Sequence, residues 1–291
     1  MYKKIKKYLK KFPWVVNLYR FRISASWWLS DIHSALLSRS TKLKMTPYGF
    51  HLKGTNSIHH IGMQEGKFEV GEVKLFQNIF ESSDVFVDVG ANIGFYSCLA
   101  RQAQLHVIAI EPLQKNLEYL YTNIIFNGWD EVEIFPVGLA EQPGVATLFG
   151  GSSTGASLIG SWAGASKMFR QNIALSTLDI LLNNRFDGKN IFIKMDVEGA
   201  EYRALLGAER VINMLPKPIW VLEICLNEYH PDGLNPNFQD IFNLFWRNGY
   251  EARTADQYNK IIKPEDVEQW VKYGSCDSGT INYKFETTMQ T

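Results

Sequence analysis

The chain has 291 residues, of which 46% are hydrophobic and 21% are charged. This composition is typical of a folded globular protein, and it excludes a disordered chain, a collagen-like repeat and a protein with several membrane spans. Residues 1–30 hold eight basic side chains and no acidic one, so the rest of the chain carries a net charge of −8. An acidic body argues against a protein that binds nucleic acid through a basic surface.

The basic segment at residues 1–30 has the pattern of an amphipathic helix. Its apolar positions recur every three or four residues, opposite to most of the lysines: Ile5, Tyr8, Leu9 and Phe12. Such a segment can lie in the headgroup layer of an anionic membrane, although packing on the protein body and binding to a partner protein are alternatives. No apolar stretch is long enough for a membrane span or unbroken enough for a secretory signal. The three cysteines are scattered along the chain, which indicates a reducing compartment. We therefore expect a cytoplasmic protein, with peripheral contact at the membrane surface as one of the three roles open to residues 1–30.

Short apolar segments alternate with helical stretches from about residue 84. Five strands are predicted in this part of the chain, before a sixth that begins at Gly249: 85–89, 106–110, 132–135, 190–195 and 219–224. A chain with this alternation is predicted to fold as an α/β protein, with a mostly parallel, doubly wound sheet that helices cover on both faces.

Further elements are predicted around this sheet. They are a strand pair at 50–53 and 68–70, a short strand at 145–149, a loop at 150–166 that is rich in small residues, and a helix at 199–213. We divide the chain into a basic, helical N-terminal extension at 1–45 and one domain at 46–291.

The loop after the first predicted strand reads Asp-Val-Gly-Ala-Asn-Ile-Gly and spans residues 88–94. In a doubly wound sheet, the ligand lies beyond the carboxyl ends of the strands. A dinucleotide loop needs the pattern G-x-G-x-x-G, but Asn92 and Phe95 replace its second and third glycines, so a pyrophosphate is poorly accommodated. An acid at the strand end, Asp88, suits an ammonium or hydroxyl group instead. S-adenosylmethionine is a ligand of this kind.

A second acid, Glu111, ends the second predicted strand, 21 residues after Gly90. A carboxylate at this place can accept both hydrogen bonds of a ribose diol. The alternative is that Asp88 and Glu111 only cap the loops in which they lie. The loop, the acid and their spacing in a strand–helix–strand unit together favour a nucleoside-containing ligand.

Four segments resemble motifs of the FkbM family of S-adenosylmethionine-dependent methyltransferases: 88–97, 109–112, 176–179 and 193–201. The last segment, Ile-Lys-Met-Asp-Val-Glu-Gly-Ala-Glu, is the most distinctive, and the resemblance covers residues 65–255. It implies a class I Rossmann-like methyltransferase fold and, usually, methyl transfer to a hydroxyl oxygen of a sugar, a glycan or a natural product. It also implies cofactor-binding roles for seven residues: Asp88, Gly90, Asn92 and Gly94 in the loop, Glu111 at the ribose, and Val137 and Gly138 beside the adenine.

Three charged residues alternate at the end of the fourth predicted strand: Lys194, Asp196 and Glu198. In an extended chain they project to one side, at the edge of the sheet that borders the ligand. Methyl transfer to a hydroxyl requires removal of its proton. We expect Asp196 to be the base or to orient the acceptor, Glu198 to be the second candidate, and Lys194 to hold or tune a carboxylate. An ion-pair cluster that fixes the turn is the alternative.

His230, in the loop after the fifth predicted strand, is an alternative base, since an imidazole is the side chain most often used to remove a proton near neutral pH. Asp196, Glu223 and His230 could also bind a divalent metal, but their spacing is not diagnostic and we assign no metal.

The leading hypothesis is O-methylation of a hydroxyl on a sugar, glycan or glycolipid. Two alternatives remain open at this point. One is a nicotinamide-dependent oxidoreductase or epimerase, against which the missing loop glycines argue. The other is a catalytically inactive methyltransferase-fold module that binds a partner through its aromatic leader.

Overall fold

The computed structural model describes residues 40–150, 155–164 and 167–287. The amphipathic helix and the membrane contact expected at residues 1–30 lie outside these residues. In the part of the chain that the structure describes, no helix is both long enough and apolar enough to cross a bilayer.

The strands of the described residues, in chain order, are β1 (Lys44–Met45), β2 (His51–Leu52), β3 (Val85–Val89), β4 (His106–Ile110), β5 (Val132–Phe135), β6 (Gly138–Leu139), β7 (Gly144–Phe149), β8 (Arg170–Ser176), β9 (Ile191–Met195), β10 (Ile219–Glu223), β11 (Glu251–Thr254), β12 (Ile261–Ile262) and β13 (Asn282–Glu286). The helices are α1 (Ile58–Glu65), α2 (Val70–Phe80), α3 (Phe95–Gln102), α4 (Gln114–Phe126), α5 (Leu178–Leu182), α6 (Glu201–Leu206), α7 (Glu209–Ile212), α8 (Phe238–Arg247) and α9 (Pro264–Tyr273).

The central sheet has the strand order β12-β11-β13-β10-β9-β3-β4-β5. The run from β10 to β5 is parallel, whereas β13 is antiparallel to both of its neighbours. The chain passes from β3 to β4 on one side and later adds β9 on the other side, so the strand order reverses between β3 and β9. In sheets of this kind, ligands bind beyond the carboxyl ends of the strands at such a reversal.

Two apolar layers cover the two faces of the sheet, because alternate side chains of a strand point to opposite faces. Phe86 and Phe192 pack with helices α1 to α4 on one face, where Phe76 contacts the Phe192 ring edge-on at 4.9 Å. Val87 and Ile193 pack with helices α5 to α9 on the other face. Both β3 and β9 are buried throughout, which explains why their sequences read as nearly continuous apolar runs. The predicted α/β fold class is therefore confirmed.

A second, three-stranded sheet with the order β6-β8-β7 follows β5 in the chain. Leu148, Ile173 and Leu175 form a small apolar cluster of this sheet with Leu113, which precedes α4. The predicted strand at 145–149 is confirmed within β7. Strand β8, which pairs with every residue of β7, was not predicted from the sequence.

Two local predictions are wrong. Residues 68–70 do not form a strand: β2 pairs with β1, and Val70 begins α2, whose buried positions recur with helical spacing. The helix predicted at 199–213 is divided into α6 and α7. A Cβ on Gly207 would overlap the main-chain oxygen of Ala140, so the chain between the two helices packs directly against the start of the small sheet.

Candidate active site

The loop between β3 and α3 lies against the carboxyl end of β9. Gly90 has a φ of +82°, and a Cβ at this position would overlap the main-chain oxygen of Asp196. The Gly90 N–H group donates to the main-chain oxygen of Ile110 at 2.9 Å, and the Asp196 N–H group donates to that of Val89 at 3.0 Å. Only glycine satisfies both the left-handed backbone and the close approach, so Gly90 allows the loop to join three strand ends.

Glu111 closes the same loop from the end of β4. Its two carboxylate oxygens accept hydrogen bonds from the N–H groups of Asn92 at 2.7 Å and Leu113 at 2.8 Å. Burial raises the pKa of Glu111 to about 7, while these two N–H donors act in the opposite direction. The side chain of Asn116 is a third hydrogen-bond partner of this carboxylate, and the acceptor capacity that is left suits a hydroxyl group.

A first cavity of about 660 Å³, counting the part open to solvent, adjoins this loop. Five of the predicted cofactor-binding residues line it: Gly90, Asn92, Glu111, Val137 and Gly138. Its apolar wall is formed by Ile110, Leu139, Leu148 and Ile173. Among the described residues that line this cavity, none is Lys, Arg or His. A small ligand with a flat apolar ring and a diol fits this volume and this set of groups, whereas a polyphosphate would meet three carboxyl groups and no Lys, Arg or His.

Asp88 and Gly94 do not line the first cavity but support its loop. Asp88 is only 1% exposed, and its Oδ2 accepts a hydrogen bond from the Ser97 hydroxyl at 2.6 Å. Burial raises the pKa of Asp88, although Lys194 and Ser97 act in the opposite direction. Gly94 has a φ of +84°, and a Cβ there would overlap the side chain of Leu120 in α4. The contact of Asp88 with a cofactor stays a prediction.

A second cavity of about 1100 Å³, also partly open to solvent, adjoins the first. The two cavities share five lining residues: Gly90, Asn92, Gly155, Asp196 and Glu198. The second cavity has aromatic side chains on its wall, among them Phe68, Tyr96 and Tyr229. Its remaining carboxylates are Glu69 and Glu223. The junction of the two cavities therefore lies at the end of β9, where Asp196 and Glu198 follow the strand.

The sequence model of the methyltransferase FkbM domain matches residues 88–252, which is more than half of the chain. The chain belongs to the FkbM methyltransferase family. Membership confirms the resemblance predicted from the sequence, together with methyl transfer as the activity and S-adenosylmethionine as the cofactor. The first cavity fits this cofactor, since Glu111 can accept the ribose hydroxyls and the apolar wall can hold the adenine. No curated protein matches the chain.

Several solved structures are similar to this FkbM methyltransferase at low sequence identity. An S-adenosylmethionine-dependent methyltransferase from Agrobacterium tumefaciens is 11% identical over 86% of this chain and 70% of that chain, with a TM-score of 0.43. Precorrin-6y C5,15-methyltransferase from Geobacter metallireducens is 11% identical over 74% and 84% of the two chains, with a TM-score of 0.38. The tRNA (uracil-54, C5)-methyltransferase from Pyrococcus abyssi, solved with S-adenosyl-L-homocysteine, is 12% identical over 64% and 34%, with a TM-score of 0.32.

Lys194 and Asp196 form an ion pair at the end of β9 of this methyltransferase. The Lys194 ammonium group lies 3.1 Å from Asp196 Oδ2 and 5.4 Å from the centre of the Tyr96 ring. Burial lowers the pKa of Lys194, but the nearby carboxylates, Asp196 and Asp88 first, outweigh it and raise the pKa above its ordinary value. Lys194 is therefore a permanent cation that keeps the Asp196 carboxylate in place at the junction.

Glu198 is held from the opposite side by Trp162. Its Oε2 accepts a hydrogen bond from the indole Nε1 at 2.6 Å, and its main-chain oxygen accepts one from the Ser157 hydroxyl at 2.5 Å. Burial and the charge of Asp196 raise the pKa of Glu198 to about 8, while the Trp162 donor lowers it. The indole ring packs on Gly199, where a Cβ would lie 2.5 Å from a ring carbon. Glu198 is thus a fixed carboxyl group whose pKa lies well above its ordinary value.

Two further acids complete the cluster. Burial, followed by the charges of Asp196 and Glu198, raises the pKa of Glu223 to about 10, and Glu223 lines the second cavity. Burial raises the pKa of Glu201 to about 7, and its carboxylate accepts a hydrogen bond from the Gly199 N–H group at 2.9 Å. Glu201 lines neither cavity.

His230 is not brought to the wall of either cavity. Its ring lies edge-on to Trp162 at 6.0 Å, and its Nδ1 accepts a hydrogen bond from the Asp232 N–H group at 3.3 Å. The indole of Trp162, not His230, contacts the acid cluster. The alternative metal set of Asp196, Glu223 and His230 is not assembled either: over the described ranges, no three His, Cys, Asp or Glu side chains are grouped to hold a metal ion.

The sequence analysis missed one wall of the second cavity. His59, Met63, Phe68 and Glu69 reach it from α1 and from the connection to α2. Tyr96, which follows the glycine loop, donates from its hydroxyl group to Glu69 Oε2 at 2.6 Å and so ties this connection to the site. No motif marks these residues, because they lie about 20 residues before the first core strand and were assigned in part to a strand.

Proposed function

We propose that this methyltransferase transfers a methyl group from S-adenosylmethionine to a hydroxyl oxygen of a sugar, a glycan or a glycolipid. The observation that carries the proposal is the position of Asp196 and Glu198, two carboxyl groups on the shared wall of the cofactor cavity and the second cavity. A hydroxyl acceptor must lose its proton as the new bond to carbon forms, and a carboxylate at the junction can take it.

S-adenosylmethionine, when bound, supplies a methyl group on a positively charged sulfur. The chain supplies alignment and proton removal. Glu111 would hold the ribose hydroxyls, Val137 and Gly138 would contact the adenine, and Gly90 with Asn92 would border the reacting end of the ligand. Asp196, kept in place by Lys194, is the proposed base, and Glu198 is the second candidate.

The second cavity suits an acceptor with several hydroxyl groups. Carboxylates on its wall can accept hydroxyl hydrogen bonds, and the faces of Phe68 and Tyr229 can pack against the C–H groups of a sugar ring. A nucleic acid is a poor acceptor here, because Lys194 is the only Lys or Arg among the described residues that line this cavity, and it is already paired with Asp196.

The test is transfer of labelled methyl from S-adenosylmethionine to purified glycolipid and polysaccharide fractions by the full chain. We expect label in carbohydrate that survives mild alkali, because a methyl ether is stable under conditions that hydrolyse a methyl ester. Label that alkali releases would indicate methylation of a carboxylate, and label in RNA or protein alone would contradict the proposal.

A further inference from the structure

His60, in α1, is a buried imidazole next to the cofactor loop. Its side chain is fully buried, and a Cβ on Gly54 would lie 2.9 Å from the His60 Cβ, so the main chain at Gly54 packs closely on this side chain. Nδ1 lies 3.0 Å from the Thr55 main-chain nitrogen and 2.9 Å from the Thr55 hydroxyl oxygen. Nε2 lies 3.2 Å from Asn92 Oδ1.

The contacts of the ring determine its tautomer. The main-chain N–H group of Thr55 can only donate, so Nδ1 must be the acceptor and the proton must be on Nε2. Nε2–H therefore donates to the carbonyl end of the Asn92 amide. Burial lowers the pKa of His60 to about 4, which keeps the imidazole neutral and this arrangement intact at physiological pH.

Asn92 is the residue through which His60 reaches the site. Asn92 has a φ of +52°, and its N–H group donates to Glu111 Oε2 at 2.7 Å. It also lines both cavities. Because Asn92 Oδ1 accepts the hydrogen bond from His60, the NH₂ group of the Asn92 amide points away from the imidazole. The hydrogen bond from His60 thus fixes the side chain of a residue whose main chain orients the Glu111 carboxylate.

We propose that His60 is a positioning residue for S-adenosylmethionine, acting through Asn92 on Glu111. The imidazole neither donates protons to the reaction nor contacts the acceptor in this role. It keeps Asn92 in its left-handed conformation, with the N–H group on Glu111, and so keeps the carboxylate in the orientation that accepts the ribose hydroxyls.

Two amide variants separate the two hydrogen bonds of the ring. In His60→Gln, the longer side chain can place an N–H donor where Nε2 was, so the bond to Asn92 is retained. In His60→Asn, the shorter side chain can place its oxygen where Nδ1 was, so the bonds from Thr55 are retained and that to Asn92 is lost. Both variants remove the ring, and the Asn92→Gly background described below separates the lost hydrogen bond from the lost packing.

The measurement is the Kd of S-adenosylhomocysteine by calorimetry on the full chain, with no acceptor present. We expect His60→Gln to bind within about 3-fold of the parent and His60→Asn about 10-fold more weakly, the size of effect that loss of one buried hydrogen bond gives. In an Asn92→Gly background, which keeps the left-handed backbone, His60→Asn should weaken binding no further. Equal losses in the two variants, or a further loss in the Asn92→Gly background, would overturn the proposal.

A second measurement does not depend on any variant. Long-range ¹H–¹⁵N correlation spectra of the parent protein should show His60 as the Nε2–H tautomer from pH 5.5 to 8. A Nδ1–H tautomer or a protonated ring in this range would also overturn the proposal. Because neither experiment uses an acceptor, their outcome is independent of whether the acceptor is a sugar hydroxyl.

Discussion

The main-chain oxygen of Asp196 occupies the space that a Cβ on Gly90 would fill. This relationship joins the cofactor loop to the strand end that carries the acid cluster. Any displacement of the loop therefore moves the junction of the two cavities, and any displacement of β9 moves the loop. Cofactor binding and positioning of the proposed base depend on one contact that only glycine permits.

Gly90→Ala is therefore expected to destabilise the protein by more than the strain of a left-handed backbone alone. We expect it to lower the free energy of unfolding by about 2–5 kcal/mol, adding about 1–3 kcal/mol for the overlap to about 1–2 kcal/mol for the backbone. Gly188→Ala is the matched control, since Gly188 has a φ of +77° and nothing lies within 4 Å of its Cβ position. Denaturant titration checks both variants. An equal loss in the two would show that the overlap with Asp196 is relieved without cost.

The sheet and the cofactor cavity were predictable because their signals are local. The strands β3, β4, β9 and β10 are buried and parallel, so they read as short apolar runs. The reversal of strand order then places the ends of β3 and β9 together, which is why Gly90, Glu111 and Asp196 could be assigned to one edge from the sequence. Asp88 also lies at this edge, but its buried side chain accepts a hydrogen bond from Ser97 and lines neither cavity.

The rest of the site depends on packing between distant segments. Strand β13 lies between β10 and β11, although it follows both in the chain, and its five residues carry no motif. The hydrogen bond from Trp162 to Glu198 joins residues that are 36 positions apart in the chain. Trp162 lies in a stretch rich in small residues, whose sequence predicts only a loop. The sequence also shows no sign that His60 is buried, because its partners Thr55 and Asn92 come together only in the folded chain.

Asp196→Asn tests the proposed base. The neutral amide keeps nearly the same volume and can still accept a hydrogen bond from Lys194, so we expect a fall in kcat of about 100-fold to 10,000-fold. The Kd of S-adenosylhomocysteine should change by less than about 3-fold. Glu198→Gln is measured beside it, and a larger fall in kcat there would make Glu198 the base. Loss of kcat and of cofactor affinity together in Asp196→Asn would place Asp196 among the cofactor-binding residues instead.

Trp162→Phe tests the control of Glu198 by the indole. Without the Nε1–H donor, the pKa of Glu198 should rise above about 8, because that hydrogen bond favours the charged carboxylate. If transfer needs the ionised form, the acidic limb of the pH–rate profile should move to higher pH by about one unit. Trp270→Phe is the control, since Trp270 is also buried but donates to Asp277, away from the cavities. An unshifted limb, or equal shifts in both variants, would contradict this role.

The raised pKa of Glu223 predicts how stability depends on pH. The folded state holds this proton up to about pH 10, whereas an unfolded glutamate releases it near pH 4.5. The folded state therefore binds more protons than the unfolded state between these values, so stability is highest at the acidic end and falls as the pH rises. For an independent group, the fall is up to about 1.4 kcal/mol per pH unit.

Glu223→Gln should flatten this dependence. We expect the variant to unfold with nearly the parent's free energy at pH 5 and to be more stable than the parent at pH 9, as measured by urea titration across that range. The same change at the exposed Glu118 is the control, because it removes a hydrated charge. A parent protein whose stability rises with pH, or a Glu223→Gln variant with an unchanged slope, would show that Glu223 is ionised in the fold.

We propose that residues 1–30 contact an anionic membrane surface. The rest of the chain carries a net negative charge, which such a surface repels, so binding to anionic vesicles reports on residues 1–30. Deleting them should weaken binding to vesicles of phosphatidylcholine with phosphatidylglycerol, since each Lys or Arg near such a surface contributes about 1 kcal/mol. The affinity for S-adenosylhomocysteine should not change, because Gly90, Asn92 and Glu111 lie in the described domain. Replacing Lys3, Lys6, Lys7 and Lys10 by Gln keeps the apolar face, so it measures the charge contribution alone. Vesicle binding that is the same before and after deletion, or the same without the anionic lipid, would refute the membrane contact.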